Sequence, residues 1–315
     1  MSRCRLQKLF SSPLFLAVAA GVLAAADLLV SGAVPGEPLF SFNLYRDLLA
    51  FLVGSALALS GAIFQGIFRN PLADPYILGI SSGAAAGAAA VFVFAPALLL
   101  AVLVPAGALA GALATLILVL FISGSGSTEK LLLSGVVTGV IVSSVLICLV
   151  SFSNSEELAG VTWWILGDLQ GGNVTSCSLL AGINLICLVL FRFFANDLNV
   201  LALGDDEAAL RGVAVKKVRF MFVLASSLLA SLCVSLAGII GFAGLIIPHI
   251  VRLLAGSDHR KNLLPVFLSG GIFLMLCDMI AKQLSVTKEI PVGVVTSCVG
   301  GGIFLYLLAQ NNRGR

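Results

Sequence analysis

Charge is what this sequence has least of. Lys and Arg number 18 and Asp and Glu 15 among 315 residues, so charged side chains make up 10% of the chain. A soluble domain is about a quarter charged, and so few charges could not cover a core of this size. The seven cysteines (Cys4, Cys148, Cys177, Cys187, Cys233, Cys277 and Cys298) are odd in number and include no C-x-x-C pair. They indicate neither a disulfide framework nor a thiolate metal cluster. Histidine is reduced to His249 and His259, whose spacing does not suit a metal pair on one helix face. No G-x-x-x-x-G-K-[ST] phosphate loop occurs, and Gly124-Ser125-Gly126-Ser127-Thr128-Glu129-Lys130 resembles one only superficially. No carboxylate pair or nucleophile–base set stands out, so the chain reads as a non-enzyme with no catalytic residue and no metal site.

What is present is apolar length. Hydrophobic residues make up 59% of the chain and the mean hydropathy is +1.12. A bilayer core of about 30 Å needs about 20 apolar residues per helix. Runs near 11–33, 46–68, 76–95, 98–122, 130–152, 175–195, 217–238, 241–255, 263–284 and 292–310 meet that need. They predict an all-α, polytopic fold of about ten transmembrane helices, multi-pass in the inner (cytoplasmic) membrane. The run at 241–255 is short, which leaves room for a partly re-entrant segment. The basic start and first apolar run read as an uncleaved first span rather than a signal peptide.

Lys and Arg orient the bundle. With the N-terminus inside, Arg3, Arg5, Lys8, Arg69, Lys130, Arg192, Arg211, Lys216, Lys217, Arg219, Arg252, Arg260, Lys261, Arg313 and Arg315 all fall inside. Only Arg46, Lys282 and Lys288 fall outside, a split of 15 to 3 that places both termini in the cytoplasm. This bias accounts for the net charge of +3 and implies a lipid partner and no nucleic acid.

Residues 1–315 form one membrane domain. Its longest polar interruptions are 153–174 outside, and 196–219 and 256–262 inside. Gly79, Gly83 and Gly87, Gly107 with Gly111, and Gly135 with Gly139 recur every four residues and predict close helix packing. Leu59-Ser60-Gly61-Ala62-Ile63 aligns with Leu236-Ala237-Gly238-Ile239-Ile240, a weak sign of an inverted repeat. Asp27 and Asp278 lie at membrane depth with Asp47 near an end, and Asp278 is four residues before Lys282, the spacing of a local ion pair. In the inner segment, Gly204 and Gly212 bracket a short helix that Asp205 or Asp206 can cap, a shape suited to being gripped by an intracellular partner.

Leu198-Asn199-Val200-Leu201-Ala202-Leu203-Gly204 resembles the cytoplasmic coupling segment of FecCD-type permeases, here about 198–216. Gly66-Ile67-Phe68-Arg69-Asn70-Pro71-Leu72-Ala73-Asp74-Pro75 and Leu78-Gly79-Ile80-Ser81-Ser82-Gly83-Ala84 resemble the family's signature after its second helix. Trp164 with Gly167 and Gly171 resembles its outer Trp-Gly motif. The stretch from Ile240 through Pro248, His249 and Arg252, then Asp258-His259-Arg260 and Glu289-Ile290-Pro291-Val292-Gly293-Val294, is similar to the later family pattern. The resemblance runs from about residue 40 to 308.

The resemblance implies an ATP-driven importer of an iron–siderophore complex, haem or cobalamin, working by alternating access. It implies a second permease subunit (the same chain or a sister), two cytoplasmic ATPase subunits and an extracytoplasmic binding protein. No cofactor is expected on this chain, because ATP and Mg belong to the ATPase. Leu203, Gly204, Asp205, Asp206, Glu207, Ala208 and Gly212 are the implied coupling residues, and Arg46 and Lys282 the implied docking cations for the binding protein. Asn70, Pro71, Asp74, Pro75, Gly79, Gly83, Pro248, His249, Arg252, Pro291 and Gly293 are expected to be structural. Asn43 stands where a second basic residue is often found, and Arg211 where an apolar residue is common. The rival reading is an ion-coupled secondary carrier of a small solute.

Overall fold

Each predicted apolar run becomes a helix, and helix is the structure expected wherever lipid leaves backbone polar groups without other partners. The computed structural model describes residues 12–30, 38–124, 128–284 and 290–313. Its helices are α1 (Pro13–Val30), α2 (Pro38–Phe68), α3 (Ile80–Phe94), α4 (Leu100–Ser123), α5 (Thr128–Ser151), α6 (Ser155–Ile165) and α7 (Val174–Phe193). There follow α8 (Ala195–Leu201), α9 (Asp205–Leu210), α10 (Val215–Ala237), α11 (Ala243–Ala255), α12 (His259–Leu284) and α13 (Val292–Arg313). Six of these, α2, α4, α5, α7, α10 and α12, are long and apolar enough to cross a membrane. Four shorter apolar helices, α1, α3, α11 and α13, fall on the other expected spans. Arg3, Arg5, Lys8, Cys4, Lys288, Glu289 and Arg315, which entered the sequence reading, lie outside the described residues.

The bundle is built around α2. Within its most apolar window 89% of α2 is buried, against 17% for α5. It packs against α1, α7, α10, α11 and α12, and close contact there depends on small residues. A Cβ on Gly54 would strike the Gly270 carbonyl of α12, and one on Gly61 would strike the Gly244 carbonyl of α11. The glycine stripes also find partners. Gly83 and Gly87 of α3 face Gly111 and Gly107 of α4, while Gly135 and Gly139 of α5 face Leu78 and Gly79. By contrast, α5 exposes Leu133, Val136, Val137, Val140, Ile141 and Val145, a surface that only lipid or another subunit can cover.

The short run at 241–255 has a specific geometry. Helix α11 has 13 residues, about 20 Å at 1.5 Å per residue. Gly238 ends α10 at φ +67, and Phe242 begins α11 at φ +68. The stretch between them is non-helical and enters the protein, where the start of α11 meets Pro75 and the Leu57 and Gly61 region of α2. Irregular backbone at this depth is tolerated because protein rather than lipid surrounds it. The two segments that align in sequence therefore differ in conformation. Leu59–Ile63 lies inside helix α2, whereas 236–240 crosses the end of α10.

Candidate functional site

Two polar constellations sit at opposite ends of the bundle. At the inner end, Gly204 (φ +136) and Gly212 (φ +81) bracket α9, as their spacing predicts. Few residues other than glycine adopt such angles without strain. No side chain caps α9, and Gly204 occupies the N-cap position. The expected capping by Asp205 or Asp206 is thus replaced by something else. The Asp205 carboxylate accepts from Nη2 of Arg69 at 3.4 Å and from Nη2 of Arg219 at 2.5 Å. Arg69 follows the last residue of α2 and takes a left-handed φ of +50; Arg219 lies in the first turns of α10. One carboxylate on a six-residue helix therefore ties together the end of α2 and the start of α10.

Around this bridge, Arg211 bonds Glu207 one turn earlier in α9, at 2.9 Å from Nε to Oε1. Ala208 is buried beneath the helix, while Leu203 and Leu210 are 61% and 83% exposed. Leu198 of α8 packs on Gly66 of α2, and Asn199 bridges to the α11–α12 turn. There its Nδ2 donates to Asp258 at 2.8 Å and its Oδ1 accepts from the His259 amide at 2.9 Å. That bond from Asn199, the largest cause, holds the Asp258 carboxyl below its ordinary range.

The signature after α2 is a chain of turns. Asn70 Oδ1 accepts from the Leu72 amide and Asp74 Oδ1 from the Tyr76 amide, and Pro75 packs against Gly244 of α11. Gly79 then starts α3 at φ +76. Arg252 of α11 donates to Gln65 of α2 at 3.1 Å and meets His249 Nδ1 at 3.4 Å, while Gln65 also donates to the Leu245 carbonyl at 2.9 Å. Pro248 lies inside α11. These contacts join the inner ends of α2, α3 and α11.

At the outer end, Arg46 and Lys282 do not stand open. Arg46 is buried and reaches both oxygens of Asp278, with Nε at 3.2 and 3.0 Å and Nη2 at 2.9 Å. Lys282 Nζ meets Asp27 at 2.6 Å, Asp47 at 2.8 Å and Asp278 at 3.1 Å. The i, i+4 pair foreseen between Asp278 and Lys282 is present, inside a five-residue cluster joining α1, α2 and α12. Burying this many charges is costly unless they are mutually paired, and here the pairing pins three helix ends. Asn43, where the resemblance leads one to expect a base, is buried as well.

A second outer assembly joins the remaining motif residues. The Asp168 amide donates to the Ala237 carbonyl at 2.9 Å, and the Gly293 amide to the Leu166 carbonyl at 3.0 Å. Gly238 and Gly293 are pressed on the Trp164 and Leu166 carbonyls, and Pro291 leads into α13 beside them. Helix α6 opens with a capping box in which Asn154 accepts from the Glu156 and Glu157 amides. The segment 153–174 was expected as an outer polar interruption carrying the Trp-Gly motif, with no helix assigned to it, although Asn154 followed three residues later by Glu157 is a helix-start signal.

Comparison with known proteins shows the family and the fold of the chain. Residues 10–310 match the model of the FecCD transport family. The hemin transport system permease protein HmuU of Yersinia pestis is 38% identical over 280 residues, which cover 87% of this chain and 84% of that protein. The vitamin B12 import system permease protein BtuC of Citrobacter koseri is 37% identical over 278 residues, 87% of this chain and 83% of that protein. Among solved structures, a metal-chelate type ABC transporter in an inward-facing conformation superposes with a TM-score of 0.86 at 30% identity, covering 95% of this chain and 98% of that one.

Proposed function

The chain belongs to the FecCD transport family and is the membrane permease of an ABC importer; from that premise we propose that it carries a bulky metal chelate inward and is driven through α9. The chelate is an iron–siderophore complex or, as the relatives' names suggest, haem or cobalamin.

The bridge from Asp205 to Arg69 and Arg219 carries this reading. A partner gripping α9 pulls at once on the end of the central helix α2 and on the start of α10. Leu203 and Leu210 offer that partner an apolar surface at the inner face, rimmed by Asp206 and Arg211. Two cytoplasmic ATPase subunits, which bind ATP and Mg, are the partners that suit it. A second permease subunit covers the exposed face of α5. A cavity of about 460 Å³ lies between that helix and the start of α3, lined in part by Ser82, Gly139, Ser143 and Ser144. Its walls mix these small residues with apolar ones such as Ile77, Val136 and Val140 and carry no charged side chain, so they leave room for a large solute without selecting it, and selectivity rests with an external binding protein. Docking of that protein at Arg46 and Lys282 requires its carboxylates to compete with Asp278 and Asp27.

Leu210→Glu tests the grip on α9. The ATPase should no longer co-purify, while the permease itself keeps its elution profile in detergent. An ATPase that still co-purifies in full argues against α9 as the contact.

A further inference from the structure

Helix α10 begins with charges of the wrong sign. Lys216, Lys217 and Arg219 fall within its first five residues, and its first turn has no acidic residue. The amide groups at a helix start already present about half a positive charge, so anions are favoured there and cations are not. Ala214 is the N-cap, and among the described residues no side chain accepts from the first amides.

These groups border a cavity of about 440 Å³ between the inner ends of α4, α5 and α10. Leu120, Leu131, Phe220 and Val223 make its apolar wall, and the three cations lie along the same space. Arg219 carries an independent sign of a missing partner. It is 8% exposed, Nη2 donates to Asp205, and the enclosed Nε has no hydrogen-bond partner among the described residues. Asp205 is already shared with Arg69, so one carboxylate faces two guanidiniums.

A basic rim over an apolar wall, at the inner end of spanning helices, matches an amphiphile rather than a free ion. We propose that this cavity holds an anionic phospholipid of the inner leaflet, its phosphate among Lys216, Lys217, Arg219 and the first amides of α10, and an acyl chain along Leu120, Leu131, Phe220 and Val223. Basic pockets between helices on the cytoplasmic side are suited to such headgroups. The lipid sits one residue contact from the coupling helix, because Arg219 holds Asp205.

The assembled permease–ATPase complex is the sample for the test. Phe220→Trp places a reporter in the cavity, and the signal of the parent, whose Trp163 and Trp164 lie at the outer end, is subtracted. Vesicles of phosphatidylcholine are doped with brominated phosphatidylglycerol or with brominated phosphatidylcholine. Brominated phosphatidylglycerol should quench at the lower mole fraction. K216Q/K217Q should weaken that preference roughly fivefold per lysine, K216R/K217R should retain it, and R192Q, which removes a single cation at the inner end of α7, should leave it intact. Equal quenching by the two lipids overturns the proposal, as does a preference that survives K216Q/K217Q. Loss of the preference on adding inorganic phosphate would show a free-anion site instead. A preference seen for the permease alone but abolished by the ATPase would assign this surface to the protein contact.

Discussion

Asp205→Asn removes the carboxylate that two guanidiniums share, and its cost can be worked through arm by arm. The arm to Arg69 spans 3.4 Å with both side chains 41% exposed, so screening leaves it at about 0.2–1 kcal/mol. The arm to Arg219 ends on a buried guanidinium, and losing its charged acceptor costs about 1.5–3 kcal/mol. Asp206 and Glu207 keep the first turn of α9 acidic, so little is lost to the helix dipole. Asparagine retains an amide oxygen, which puts the net loss in the lower part of the range, roughly 2–3 kcal/mol. A helix of six residues has no stability of its own, so the loss should appear as detachment of α9 rather than unfolding of the bundle. At about 1.4 kcal/mol per factor of ten, the detached population rises roughly thirtyfold or more. Hydrogen exchange across 203–213 should accelerate by that factor, while the melting temperature of the bundle stays close to the parent's. In proteoliposomes with the ATPase, hydrolysis should persist and uptake should fall by roughly tenfold or more. Parental exchange and parental uptake together would refute the bridge as the coupling link.

The packing and charge clusters make their own predictions. Gly61→Val places a side chain on the Gly244 carbonyl; the strain of overpacking, about 1–3 kcal/mol, should lower the melting temperature in detergent by several degrees, and an unchanged temperature would deny that α2 and α11 touch there. Lys282→Met leaves Asp27 and Asp47 without their cation and should cost about 3–5 kcal/mol as a broken buried pair. Adding Asp27→Asn and Asp47→Asn should recover much of that loss in the same melting assay; no recovery would mean that Lys282 acts elsewhere.

What was legible in the sequence is what depends on local spacing. Ten apolar runs mark ten helices because lipid requires length, and the four-residue glycine stripes mark the faces of α3, α4 and α5 because one helical turn sets their period. Gly204 and Gly212 bound α9 because few other residues hold a left-handed angle. The partners across the fold were hidden. Arg46 and Asp278 are 232 positions apart, and nothing in either neighbourhood announces the other. The spacing of the two outward cations therefore gave no sign of the buried cluster that engages them. Asp205 read as a cap for the same reason: its acceptor role was foreseen, but both donors come from other helices. The α6 helix was within reach, since Asn154 and Glu157 stand at capping-box spacing.

Substrate accumulation in proteoliposomes tests the account most directly. The permease is reconstituted with its ATPase and its binding protein, and ferric siderophores, haem and cobalamin are offered in turn. The account predicts that one of these chelates accumulates only when ATP and both partners are present, and that accumulation is lost in the Asp205→Asn variant. Uptake that follows an ion gradient with the ATPase left out would contradict it.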